Sequence, residues 1–239
     1  MPILDSWKIS LTADDILRAQ GADPPVVRQR RPAMADIAEW AVQESLALLQ
    51  PQVLYQEFTV LSILHERLYL GNGQPTLAHL YISGALVAEH LRGAGRVIAM
   101  LCTIGEQLEN IASELGSEDL LRSLAMDAAG SAAAEVLATT ASHHFETWAA
   151  NQGLQSSLPL NPGMIGWPVP DGQAQIFKLL AGEQERYPGF PVLLRESYMM
   201  HPRKTVSLVL GVGKDLSSAG KICDYCNMRE TCRYQDHYH

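Results

Sequence analysis

Three cysteines near the carboxyl end of the chain form its clearest chemical pattern. Two residues separate Cys223 from Cys226, and five separate Cys226 from Cys232. Two thiolates at the first spacing can wrap one metal through a tight turn, and a short loop then brings the third to the same centre. Thiolate ligands select zinc, iron–sulfur clusters or Cu(I). The spacing predicts a metal site without choosing the metal.

A closed site with four protein ligands needs one ligand more than these three thiolates supply. The fourth could be Cys102 if the tail folds back, a tail histidine such as His237, or a group from another molecule. Cys102 lies in an apolar run, so a buried cysteine without a metal is the other interpretation. The alternatives for the tail are a [4Fe–4S] cluster, a structural zinc that staples a segment too short to fold alone, and free thiols.

The composition narrows the function classes. Of 239 residues, 47% are hydrophobic and 18% charged, which is enough apolar mass for a core, and four cysteines are too few for a disulfide scaffold. The net charge of −8 makes a nucleic-acid partner unexpected. We also expect no membrane span, because no apolar run reaches the necessary ~18–20 residues. Since the first ten residues lack the apolar core of a signal peptide, we expect a cytoplasmic protein.

The elements that must position these cysteines mix helices and strands without a regular alternation. Residues 52–70 are typical of extended structure with a turn at 71–73, and Arg28, Arg30 and Arg31 are typical of a solvated connector. Further strands are predicted at 96–102 and 205–212, and helices at 32–50, 76–91, 171–182 and, after a cap at 117–119, to about residue 152. The mixture predicts an α+β class. The polar tail suggests a division into a domain at 1–213 and a Cys-rich metal-binding tail at 214–239, here called the cysteine tail.

Residues 161–212 contain four short motifs in a recognisable order. They are Asn161-Pro162-Gly163-Met164, then Gln-Ile-Phe-Lys-Leu-Leu at 175–180, then Glu-Ser-Tyr-Met-Met-His-Pro at 196–202, then Thr-Val-Ser at 205–207. This order resembles the activation (reactivation) domain of cobalamin-dependent methionine synthase. The resemblance implies a C-shaped α+β fold with a twisted antiparallel sheet and flanking helices. It also implies a domain that binds S-adenosylmethionine and caps the corrinoid during reductive remethylation.

The resemblance also implies which residues bind the cosubstrate: Asn161, Pro162, Gly163, Glu196 and Ser197. Two positions depart from the family pattern, which has an arginine where this chain has Pro159 and a tyrosine where it has Met164. The arginine is expected to bind the cosubstrate carboxylate as a charge-assisted pair, and proline offers no donor. Losing such a contact costs on the order of 1.5–3 kcal/mol, or about ten- to a hundred-fold in affinity.

These implications give two functional hypotheses. In the first, the chain is a stand-alone relative of the activation domain that supports reductive reactivation or methyl transfer of a cobalamin-dependent methyltransferase or other corrinoid protein. Its tail would carry a [4Fe–4S] cluster fed by a low-potential electron donor, which suits the one-electron reduction of Co(II), and it need not be an enzyme in isolation. The alternative is a non-redox module that binds a small molecule or a partner and holds a structural zinc.

Overall fold

The computed structural model describes residues 3–73, 80–216, 220–227 and 229–231. Three residues of the sequence predictions, Thr76, Cys232 and His237, lie outside these ranges. The described helices are α1 (Ala13–Ala19), α2 (Pro24–Arg30), α3 (Pro32–Leu46), α4 (Ala85–His90), α5 (Gln107–Leu115), α6 (Leu120–Ala150) and α7 (Val169–Arg186), followed by a 3-10 turn at Ile222–Tyr225. The described strands are β1 (Ile3–Leu4), β2 (Gln52–Leu64), β3 (Arg67–Gly71), β4 (Leu80–Ser83), β5 (Ala94–Thr103), β6 (Gln155–Ser156), β7 (Leu193–Leu194), β8 (Met200–His201) and β9 (Thr205–Gly213).

One seven-stranded sheet organises the described chain. Its strand order is β4-β3-β2-β5-β9-β6, with β1 also paired to β2, and every pairing is antiparallel. At its centre, Cys102 of β5 lies between Val53 of β2 and Val206 of β9. Strands β7 and β8 form a separate two-stranded ribbon. An antiparallel sheet flanked by helices confirms the expected α+β class.

Helices α1, α3 and α6 cover one face of the sheet and form what we call the α6 layer. Successive side chains of a strand point to opposite faces, and Ile98, Met100 and Cys102 of β5 belong to this layer. Helix α6 presents a buried stripe of small residues, among them Ala129, Gly130 and Ala133, so its backbone can approach the strands closely. The predicted close packing of this helix is confirmed.

The other face carries α4, α7 and the loop before α7, here called the α7 layer. Val97, Ala99 and Leu101 of β5 point into it, and they meet apolar residues such as Ile176 and Leu180 of α7. The two layers share the sheet but have separate apolar cores. Each side chain of β5 therefore belongs to one of the two apolar cores.

Two helix starts follow the capping signals in the sequence. Thr12 accepts a hydrogen bond from the N–H of Asp15, while the Asp15 carboxylate accepts one from the N–H of Thr12 at 2.9 Å, which forms a capping box. Asp119 accepts from the N–H of Arg122 at 3.1 Å and fixes the start of α6.

Two local predictions are wrong. In the described part of the helix predicted at 76–91, Leu80–Ser83 form strand β4 because they pair with β3, and Ala85–His90 form the short helix α4. The expected connector at residues 28–31 largely belongs to helix α2, which starts at the Asp23 cap. The sequence also missed the reversal at His65-Glu66 between β2 and β3, where His65 takes a left-handed φ of 55°, whereas β3 does end at Gly71, at the start of the predicted turn.

Among the described residues, no helix is long and apolar enough to cross a membrane.

Candidate functional site at the Pro-Gly turn

A tight turn at residues 161–167, here called the Pro-Gly turn, contains the predicted Pro162-Gly163 pair. Gly163 has a φ of 104°, a left-handed value that disfavours any residue with a side chain. Its N–H donates to the carbonyl of Trp167 at 2.8 Å, and the N–H of Trp167 donates to the carbonyl of Met164 at 3.0 Å. The turn is therefore closed by its own backbone hydrogen bonds.

A polar network beneath the Pro-Gly turn holds it against the sheet. The amide of Asn161 donates to the backbone carbonyl of Ser207 in β9 at 3.2 Å. The hydroxyl of Ser207 donates to the side-chain carbonyl of Gln173 in α7 at 3.0 Å, and both of these side chains are buried. Asn161 thus has a structural partner, and the network ties the turn to one strand and one helix.

A second set of bonds fixes the far end of the Pro-Gly turn. The indole N–H of Trp167 donates to the side-chain carbonyl of Gln175 at 3.1 Å. The same Gln175 oxygen accepts from the N–H of Ser83, and its amide donates to the Ser83 hydroxyl at 2.8 Å. Gln175 therefore joins the turn, α7 and the end of β4 into one unit.

Close packing leaves no room for a side chain at Gly172 in the first turns of α7. A Cβ atom there would lie 2.8 Å from the ring of Pro162 and 3.0 Å from the indole of Trp167. Contacts this short require the Pro-Gly turn to move. The glycine therefore lets the helix approach the turn closely.

The described part of the cysteine tail contains a tight 3-10 turn that includes Cys223 and is followed directly by Cys226. The N–H of Cys226 approaches the carbonyl of Cys223 at 3.4 Å, and both residues are half-buried. Two thiols at the ends of one tight turn suit a shared metal. No group of three metal-binding side chains is gathered within the described ranges, and Cys232 lies outside them. The described residues therefore include two of the predicted ligands, both on one tight turn.

Cys102 lies far from this part of the tail in the architecture. It is fully buried in the α6 layer, whereas Ile222 and Tyr225 of the tail pack on the α7 layer. The sheet stands between them, so the described structure does not bring Cys102 to the tail cysteines. Its place in the fold argues against Cys102 as a ligand of the tail site.

Burial predicts a pH effect at Cys102. Burial, with a smaller contribution from the carboxylate of Glu135, raises the pKa of its thiol. The folded chain keeps this proton where the unfolded chain loses it, so stability should fall above about pH 8.5 by about 1.4 kcal/mol per pH unit from this group. Urea unfolding of the Cys102→Ala variant should lack that contribution, whereas Cys223→Ser should retain it. Equal slopes for wild type and Cys102→Ala would contradict the prediction.

The predicted binding residues Glu196 and Ser197 lie in the exposed connection between β7 and β8. Within the described ranges, neither side chain forms a hydrogen bond or ion pair with the Pro-Gly turn. The connection reverses through Tyr198, which takes a left-handed φ of 61°. The structure thus groups Asn161, Pro162 and Gly163 in one turn and leaves Glu196 and Ser197 on a separate loop.

A buried carboxylate anchors the loop that leads into β9. Glu109 of α5 accepts from the guanidinium of Arg203 at 2.9 Å and from the backbone N–H of Lys204 at 2.9 Å. The hydrogen bond from Arg203 raises the pKa of its guanidinium. The ammonium of Lys204 lies 2.8 Å from the carboxylate of Asp127 in α6. These two basic residues serve the framework of the fold.

We expect Glu109→Ala to lower the free energy of unfolding by about 2–3 kcal/mol, since it leaves the Lys204 N–H without its charged acceptor. Most of this loss should come from that bond, because Arg203 is 59% exposed and its ion pair is screened by water. Urea unfolding measures the effect. Glu106→Gln is the control, since its carboxylate is 56% exposed and, among the residues that the structure describes, pairs only with His201. A Glu109→Ala change below about 0.5 kcal/mol would exclude the anchoring role.

The architecture as a whole is similar to that of a solved structure. A crystal structure of the MetH reactivation domain bound to AdoHcy aligns with 90% of this chain and 79% of its own, with a TM-score of 0.59 and 13% sequence identity. The chain has the reactivation-domain fold. No family model matches the sequence, and no curated protein matches it. At this identity the likeness establishes the fold, including the expected antiparallel sheet with flanking helices.

Sequence reasoning identified the Pro-Gly turn but missed the groups that hold it. Gln173 and Gln175 lie on the apolar side of α7, and two glutamines beside buried Ile176 are a usable signal for a buried polar network. Asn227 of the tail gave no such signal. Its amide donates to the carbonyl oxygens of Gly163 and Met164, and that contact depends on pairing across more than 60 residues.

Proposed function

We propose that this chain is a reactivation-domain-like protein that docks on a cobalamin-dependent methyltransferase or related corrinoid protein. It supports the return of the partner's cobalt to its active state or the methyl transfer that follows. The fold carries the proposal, since 90% of the chain aligns with a reactivation domain. The Pro-Gly turn, fixed to β9 and α7, is the candidate cosubstrate site.

We further propose that Cys223, Cys226 and Cys232 hold a [4Fe–4S] cluster, with a fourth ligand from a tail histidine such as His237 or from another molecule. The described turn between Cys223 and Cys226 supports two of these ligands. A reduced cluster would supply one electron to Co(II), giving Co(I), and a low-potential donor would restore the cluster. Cysteines that hold a metal and form no disulfide are typical of a reducing compartment such as the cytoplasm.

S-adenosylmethionine is the proposed cosubstrate at the Pro-Gly turn. Pro159 supplies no donor for its carboxylate, and the Met164 side chain is buried, so binding should be weaker than at a site with an arginine. The expected loss is about ten- to a hundred-fold in affinity. Calorimetric titration at millimolar S-adenosylmethionine tests this step, and an absence of heat would exclude the cosubstrate.

The proposed function as a whole is tested with a corrinoid partner. The anaerobically purified chain should be captured by a cobalamin-dependent methyltransferase, and its addition should accelerate reduction of the partner's Co(II), followed by visible absorption. No acceleration by a captured chain would reject the redox role.

A structural zinc is the second candidate for the tail. The described tail has only one 3-10 turn of regular structure, and a metal staple would stabilise so short a segment. The chain would then be a non-redox binding module. Elemental analysis separates the candidates, because an iron–sulfur protein is coloured and contains iron and sulfide, whereas a zinc protein is colourless.

A further inference from the structure

The described part of the cysteine tail lies directly on the outer edge of the Pro-Gly turn. The N–H of Ile165 donates to the carbonyl of Tyr225 at 2.9 Å, and Met164 forms an antiparallel bridge with Cys226. The amide of Asn227 donates to the carbonyl of Gly163 at 3.0 Å and to that of Met164 at 3.1 Å. Three consecutive residues of the turn are therefore bonded to the tail.

These bonds complement those within the Pro-Gly turn. The internal bonds engage the N–H groups of Gly163, Met164 and Trp167, whereas the tail engages the N–H of Ile165. Ile165 and Gly166 are exposed, and Gly166 takes a left-handed φ of 73°. The tail therefore bonds this exposed edge at Ile165, and the carbonyl of Gly166 lies close to Gly84 at the start of α4.

The tail is anchored beside the turn by two apolar side chains. Ile222 and Tyr225 pack against the core of the α7 layer. The ring of Tyr225 meets the ring of His90 edge to face, with 4.5 Å between their centroids. Cys223 lies between the two anchors in sequence, and Cys226 directly follows the second. A metal held by both cysteines would fix this segment in its seated form.

We propose that metal bound by the cysteine tail locks the Pro-Gly turn through Tyr225 and Asn227. The inference rests on the metal site of the proposed function and deepens it. Metal occupancy sets the conformation of the outer edge of the turn, and the affinity of a ligand for the turn therefore depends on the metal. Linkage requires the reverse as well, so a ligand at the turn tightens metal binding. The cysteine tail thus regulates the site on which it lies.

Amide hydrogen exchange at Ile165 tests the lock in the full chain. Removing the metal with a chelator should accelerate exchange at this amide by roughly tenfold or more, because the bond to Tyr225 is lost. The amide of Val209 in β9 is the internal reference and should not change, since it is bonded to Leu160. Metal content is measured on the same samples.

Asn227→Asp separates the lock from metal binding. Aspartate has the same shape but no amide donor for the Pro-Gly turn. With bound metal unchanged, this variant should still accelerate exchange at Ile165, whereas Asn151→Asp at the end of α6 should not. A wild-type chain without metal after anaerobic purification overturns the proposed metal site and the lock together. Unchanged Ile165 exchange in a chain that does lose its metal, or in Asn227→Asp, overturns the lock alone.

Discussion

Replacing Trp167 by alanine is expected to lower the free energy of unfolding by about 3–5 kcal/mol, the largest effect of any single substitution near the candidate site. The side chain is fully buried and is the largest in the α7 layer. Its removal opens a cavity and leaves Gln175 without the indole donor. The free energy of unfolding of a native protein is about 5–15 kcal/mol, so this loss is a large part of the total stability. Chemical unfolding followed by circular dichroism measures it.

Two further variants make the Trp167 result decisive. Trp167→Phe keeps most of the apolar volume, so it should fold even if the alanine variant does not. Its loss in the free energy of unfolding should be clearly smaller. Trp148→Ala is the matched control, because that indole is only half-buried and contacts the guanidinium of Arg96 at 4.8 Å from its ring centroid. Equal losses for Trp148→Ala and Trp167→Ala would contradict a special role of Trp167 in holding the Pro-Gly turn.

The second large effect is expected at Cys226. Cys226→Ser should abolish stable metal binding, with a loss larger than the roughly 10–100-fold that follows removal of a hydrogen-bond partner behind a ligand. Iron, sulfide and zinc analysis after anaerobic purification measures it. Visible absorption should disappear with the metal if the site holds an iron–sulfur cluster.

Cys102→Ala is the matched control for Cys226→Ser. This cysteine lies in the α6 layer on the opposite side of the sheet, so its replacement should leave the metal content at the wild-type value. A large loss of metal in Cys102→Ala would contradict this separation. Wild-type metal content in Cys226→Ser would reject the tail site itself.

The long and strongly patterned elements could be predicted from the sequence. Strand β5 was expected at 96–102 and runs over Ala94–Thr103, and helix α6 starts at its predicted Asp119 cap. Their signals are local, since a short apolar run favours a buried strand and a side-chain cap fixes a helix start. The helix predicted at 76–91 failed because pairing with β3 overrides the local preference of the segment at Leu80–Ser83.

The candidate site was predictable only in part. The Pro-Gly turn could be recognised because its residues resemble a turn of the reactivation domain, and the structure shows that its glycine takes a left-handed φ. Its support by Ser207, Gln173 and Asn227 joins segments far apart in the sequence, and the glutamines of α7 indicate a buried polar network without indicating its partners. Placement of Cys102 also required the fold, because the register of β5 decides which face of the sheet each side chain occupies.

The sheet also limits how far the energetic effect of a substitution extends through the molecule. Met126 of the α6 layer and Trp167 of the α7 layer are both fully buried, yet they belong to separate cores. Residues without shared neighbours contribute to stability almost additively, so a double-mutant cycle between them should give a coupling below about 0.5 kcal/mol. The α6 layer is consequently the half of the molecule in which redesign, labelling or sequence drift can proceed without altering the Pro-Gly turn.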